Sequence, residues 1–129
     1  MAISDAWARE VYRNDQDERN NLTFCGALEH CYRDIAYYWN ANTKKKNESS
    51  YENIILPAME SHNDKVISEY TKEDYENVID AIRGKGYVNN GVTCFYAEAS
   101  IKNFEKLIYY VVYYAAIRGL CDNVLWGSK

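Results

Sequence analysis

A chain of 129 residues, 47% of them apolar, is the size of one domain around a single core, and one proline with six scattered glycines excludes collagen-like, low-complexity and linker-rich architectures. A net charge of −4 excludes a uniformly basic nucleic-acid-binding surface, so any affinity for phosphate must come from a local patch. Four cysteines without C-x-x-C spacing, no signal-peptide pattern, and an apolar run (107–117) too short to span a bilayer point to a soluble, cytoplasmic protein with reduced core thiols.

Ser4 can cap a first helix, with Asp5 near its positive end, but the pattern dissolves over Asn14–Asn21; residues 1–21 are expected as a helical or frayed N-terminal segment. After Thr23, an N-cap residue, Phe24, Ala27, Leu28, Cys31, Ile35 and Tyr38 recur at three- and four-residue intervals. They predict a helix of about four turns ending near Asn40–Asn42, with Lys44, Lys45 and Lys46 in the connection that follows. Ser49 or Ser50 then caps a helix that turns Tyr51, Ile54, Ile55 and Met59 inward and is limited by Pro57.

Thr71–Asp74 is a capping-box variant, followed by the apolar stripe Tyr75, Val78, Ile79 and Ile82, with Gly84 and Gly86 as the stop. Val88 and Val92–Tyr96 are the only β-leaning stretches, too isolated to found a sheet. A long final helix runs from about Ala97 to Arg118, burying Ile101, Phe104, Ile108, Val111, Val112 and Ala115, with Gly119 past its end and Leu120 folding back. The fold class is all-α, a compact bundle of four to five helices with roughly antiparallel neighbours.

Little in the chain suggests catalysis. His30 and His62 sit in different elements without a motif around either, and there is no phosphate loop, H-E-x-x-H, G-x-S-x-G or calcium loop. No metal, cofactor or small-molecule substrate is expected. The pairs Tyr37–Tyr38, Tyr109–Tyr110 and Tyr113–Tyr114 are read as helical residues of which one ring buries and the other reaches the rim. The lysine triplet contrasts with an acidic middle of the chain (Asp64, Glu69, Glu73, Asp74, Glu76, Asp80), a charge dipole along the sequence.

The order of these landmarks resembles the core-binding, SAM-like domain of phage-integrase-type tyrosine recombinases over Leu22–Gly127. Leu22-Thr23-Phe24 opens and Tyr37-Tyr38-Trp39 closes the first family helix; Ser50–Ala58, with its Leu56-Pro57, is similar to the second; Val66–Tyr75 resembles the apolar lead-in to a Thr-capped third helix; Ser100–Phe104 through Ala115–Leu120 and the exit Cys121–Trp126 echo the fourth. The resemblance implies one half of a clamp around duplex DNA at the crossover site, serving a separate catalytic domain that would follow Lys129 and is absent here. This chain is accordingly expected to be no enzyme.

Placed on the family pattern, the DNA-binding candidates are Lys44, Lys45, Lys46, Ser49 and Ser50 before the second helix, and Ser100, Lys102, Asn103 and Lys106 at the start of the fourth. Lysines and helix-start hydroxyls suit phosphate, whereas Asn103 can pair with an adenine edge. The acidic third helix is expected to face away from DNA, with contact to a neighbouring protomer as the alternative; duplex DNA and other recombinase protomers on DNA are the expected partners. The rival readings are an acidic helical protein-interaction module and a DNA-mimicking antagonist.

Overall fold

The computed structural model describes residues 22–62 and 65–125. The expected segment 1–21, the exit residues Trp126 and Gly127, and the side chain of His62 lie outside the described residues. The described elements run α1 (Phe24–Ile35), α2 (Ala41–Ser50), a π-turn (Tyr51–Ile55), α3 (Leu56–His62), a 3-10 turn (Ile67–Glu69), α4 (Lys72–Lys85), the hairpin β1 (Tyr87–Asn89) and β2 (Val92–Cys94), and α5 (Glu98–Ile117).

Helix α1 starts where Thr23 accepts the Gly26 amide and buries Phe24, Ala27, Leu28, Cys31 and Ile35. It ends earlier than expected: Ala36 caps it, and the turn bonds Tyr37 N–Asp34 O (3.4 Å) and Trp39 N–Ala36 O (3.0 Å) carry the chain away from the core. Tyr38 therefore leaves the apolar row and is 89% exposed. Helix α2, the π-turn and α3 form one continuous helical rod from 41 to 62. Pro57 has no amide to donate and its ring would crowd the carbonyl four residues back; the π-turn just before it, where the Leu56 amide reaches the Tyr51 carbonyl, widens the ladder and lets the rod continue.

Helix α4 carries the complete capping box, with Thr71 accepting the Asp74 amide at 3.2 Å and Asp74 accepting the Thr71 amide at 2.8 Å. It runs through Gly84 and stops at Gly86, whose φ of +63° and close approach to the Cys94 carbonyl leave no room for a Cβ. The β-leaning stretches do pair, as an antiparallel hairpin joining Tyr87 to Cys94. Two three-residue strands form no further sheet among the described residues, and the bundle remains helical.

Helix α5 buries Ile101, Phe104, Leu107, Ile108, Val111, Val112 and Ala115, and packs most extensively on α1. It closes as expected: Gly119 has φ +75°, its amide reaches Ala116, and the Leu120 amide reaches Ala115 at 2.9 Å while the Leu120 side chain buries. The core is one cluster contributed by α1, the π-turn, α3, α4, α5 and the 3-10 turn, whose Ile67 amide ties back to the Leu22 carbonyl at 2.7 Å; α2 adds no apolar side chain to it.

Candidate nucleic-acid interface

The lysine triplet lies in a helix. The Asn40 side chain accepts the Thr43 amide at 2.8 Å and its carbonyl accepts the Lys44 amide at 2.9 Å, so α2 begins well before the expected serine cap. Ser49 and Ser50 are consequently corrected from helix-start hydroxyls to the last turn of α2; Ser49 Oγ accepts from the Asn53 amide group at 3.1 Å, and Ser50 makes no cap bond. The first six residues of α2, Ala41–Lys46, are all exposed, and Asn47 alone in this helix is buried. Ion pairs among the described residues engage Lys65, Arg83 and Arg118, not the triplet. Residues 35–47 contain three lysines and no acid.

The tyrosine pairs differ from the expectation. None of the six places a ring in the core: Tyr37 is 76% and Tyr38 89% exposed, and Tyr109, Tyr110, Tyr113 and Tyr114 all sit half-buried at the boundary. The buried tyrosines are Tyr51, Tyr70 and Tyr75. The inward arc of α5 is already filled by aliphatic residues and Phe104, which leaves its tyrosines at the edges. There they join a belt of ring contacts: Tyr32 with Trp39 (6.4 Å), Trp39 with Tyr110 (6.5 Å), Tyr110 with Tyr109 (6.5 Å) and Tyr109 with Tyr113 (5.8 Å).

Lys44 Nζ stands 5.9 Å from the Tyr32 ring centre, which anchors the triplet to one end of this belt. Tyr32 in turn donates its hydroxyl to Glu48, one turn along α2 from Lys44. Burial holds the phenols of Tyr32, Tyr109 and Tyr114 above their ordinary value of 10.0, so these rings are neutral at physiological pH and add no negative charge.

At the other side of α5, Lys102 and Lys106 share a helical row with Tyr109 and Tyr113. They border an open cleft of about 820 Å³ between α4 and α5, floored by Tyr75, Ile79 and Ile108. Its rim carries four basic groups (Lys72, Arg83, Lys102, Lys106) and four acidic ones (Glu73, Glu76, Asp80, Glu105). Lys102 and Lys106 thus stand on a rim that carries as many acids as bases. The start of α5 and the acidic α4, expected to face opposite ways, line the same cleft. Ser100 and Asn103 are half-buried; the Ser100 amide belongs to the first turn of α5, bonded to Ala97 at 2.9 Å. The structure thus joins the triplet to the aromatic belt and places Lys102 and Lys106 against α4.

No cluster of His, Cys, Asp or Glu able to hold a metal occurs among the described residues. The four cysteines are free, with Cys31 in the core and Cys25, Cys94 and Cys121 partly exposed. No described helix is long and apolar enough to cross a membrane. Compared with known proteins, the chain matches no family model, no curated protein and no solved structure.

Proposed function

We propose that this chain is a DNA-binding domain of the core-binding type, a half-clamp that grips duplex DNA in the cytoplasm and leaves strand breakage to a separate catalytic domain. The observation that carries this reading is the lysine triplet: three consecutive exposed cations on the first turns of α2, in a thirteen-residue stretch free of acids, without an ion-pair partner among the described residues. Phosphate contacts need such cations, and each one formed releases condensed counterions.

The test is duplex binding by fluorescence anisotropy across a salt series. Affinity should fall steeply with salt, and replacing all three lysines (Lys44→Glu, Lys45→Glu, Lys46→Glu) should weaken binding to every sequence and flatten the slope by about one for each phosphate that is no longer neutralised. Binding that ignores salt or survives the triple change refutes the reading.

The hairpin favours the interaction-module alternative. It exposes Val88 (71%) and Val92 (61%), and Phe95 (63%) just past β2, apolar surface that suits contact with protein, including another protomer on DNA. Salt-insensitive self-association without DNA affinity would support that reading instead.

A further inference from the structure

We propose that Tyr37 and Tyr38 form a stacking platform for unpaired bases, so that the domain engages single-stranded nucleic acid beside the duplex contacts of the lysine triplet. The inference rests on the DNA-binding reading above and names what the site adds to it. The two rings are the most exposed large apolar side chains described, at 76% and 89%. They lie 4.8 Å apart at an interplanar angle of 82°, held on a turn whose backbone is fixed by bonds to Asp34 and Ala36. Their neighbour Trp39 is wedged between Tyr32 and Tyr110, so the turn is pinned at its far end as well.

Two rings at a right angle cannot both join one continuous stack. Each can take one base, and the two bases must be splayed. Bases inside an intact duplex show only their edges, so nothing in a duplex can lie flat on these rings; unpaired bases can. The occupant must also be anionic. Asn40 caps α2 two residues after Tyr38, and Lys44, Lys45 and Lys46 follow within two helical turns, where a strand whose bases rest on the tyrosines would run its phosphates. Aromatic faces set beside a cationic track form the general pattern of single-strand binding.

The experiment uses the full chain with four fluorescent probes: oligothymidine, an abasic oligonucleotide of equal length, an intact duplex, and the same duplex with a short unpaired gap. The variants are Tyr37→Ala, Tyr38→Ala and the triple lysine-to-glutamate change; both tyrosines are exposed, so the fold is retained, and circular dichroism checks that it is. Oligothymidine should bind more tightly than the abasic strand, and the gapped duplex more tightly than the intact one. Each tyrosine variant should lose about five- to 150-fold on the probes with unpaired bases, with intact-duplex affinity unchanged. Equal binding of oligothymidine and the abasic strand, or tyrosine variants that bind oligothymidine as the parent does, overturns the platform while leaving duplex binding standing. Tyrosine variants that weaken intact duplex as much as single strand overturn it too. Failure of every probe to bind removes the DNA-binding reading along with the platform.

Discussion

Tyr51 opens the π-turn, is fully buried, and donates its hydroxyl to the Leu107 carbonyl of α5 at 2.7 Å, joining the central rod to the final helix across the core. Tyr51→Phe keeps the ring and deletes that bond. Leu107 lies mid-helix, so its carbonyl retains the amide four residues on and is not left wholly unsatisfied. The expected loss is that of one net hydrogen bond, about 0.5–1.5 kcal/mol, or a Tm lower by roughly 2–6 °C for a domain of this size. Tyr51→Ala removes the ring too and should lose about 3–5 kcal/mol by cavity formation. Burial, the largest influence, holds the Tyr51 phenol well above its ordinary value of 10.0. The folded pKa is raised, so the associated stability is complete below pH 10.0 and is lost as pH rises past the point where the unfolded chain ionises. Urea unfolding followed by circular dichroism at pH 7 and in alkali measures both effects. A Phe variant as stable as the parent at pH 7, with the same alkaline decline, would refute the argument.

Phe104 is 4% exposed and meets Tyr96 edge-on at 5.1 Å, so Phe104→Ala should lose about 3–5 kcal/mol in the same assay, and a loss below about 1 kcal/mol would mean the α5 face is misassigned. The Thr71 amide, and then Lys65 at 3.0 Å, hold the Asp74 carboxyl below 3.8. Its folded pKa is depressed, so the box stabilises above 3.8 and fades as pH falls through the lower folded value; Asp74→Ala should lose about 1 kcal/mol at pH 7 and converge with the parent once acid has protonated the folded carboxyl. Burial pushes the Cys31 thiol up to about 12, and none of it is exposed. Because the thiolate is the reactive form, iodoacetamide at pH 8 should spare Cys31 until the protein unfolds, and mass spectrometry showing prompt native-state labelling there would contradict the placement.

What the sequence made legible was the inside. The apolar stripes named for α4 and α5 are buried to the last residue, because a 3.6-residue repeat of Ile, Val and Tyr has one way to hide. The Thr71 box and the Gly119–Leu120 ending were equally readable, since each rests on a local bond that needs particular residues at fixed offsets. Helix α2 was not: Ala41–Ser50 has no apolar period, and its start depends on Asn40, as good a cap as the serines nine and ten residues later. The hairpin escaped because its strands are only three residues long, although Asn90-Gly91, at φ +52° and +78°, is a turn pair that the sequence does display.

The surface was hidden for a related reason. Adjacent tyrosines in an apolar helix read as core, and only the finished packing shows that aliphatic residues have filled the interior and left the rings outside. The total charge of −4 misleads in the same way. Screening limits each exposed charge to a reach of about 10 Å, so a polyanion at the start of α2 responds to Lys44, Lys45 and Lys46 far more than to the sum over the chain. The acids of α4 matter where they stand, along the cleft that Lys102 and Lys106 also line, two cations that the family resemblance assigns to DNA. Local placement therefore gives the expected site two settings: a cationic helix start joined to a belt of boundary rings, and a cleft whose rim carries four bases and four acids.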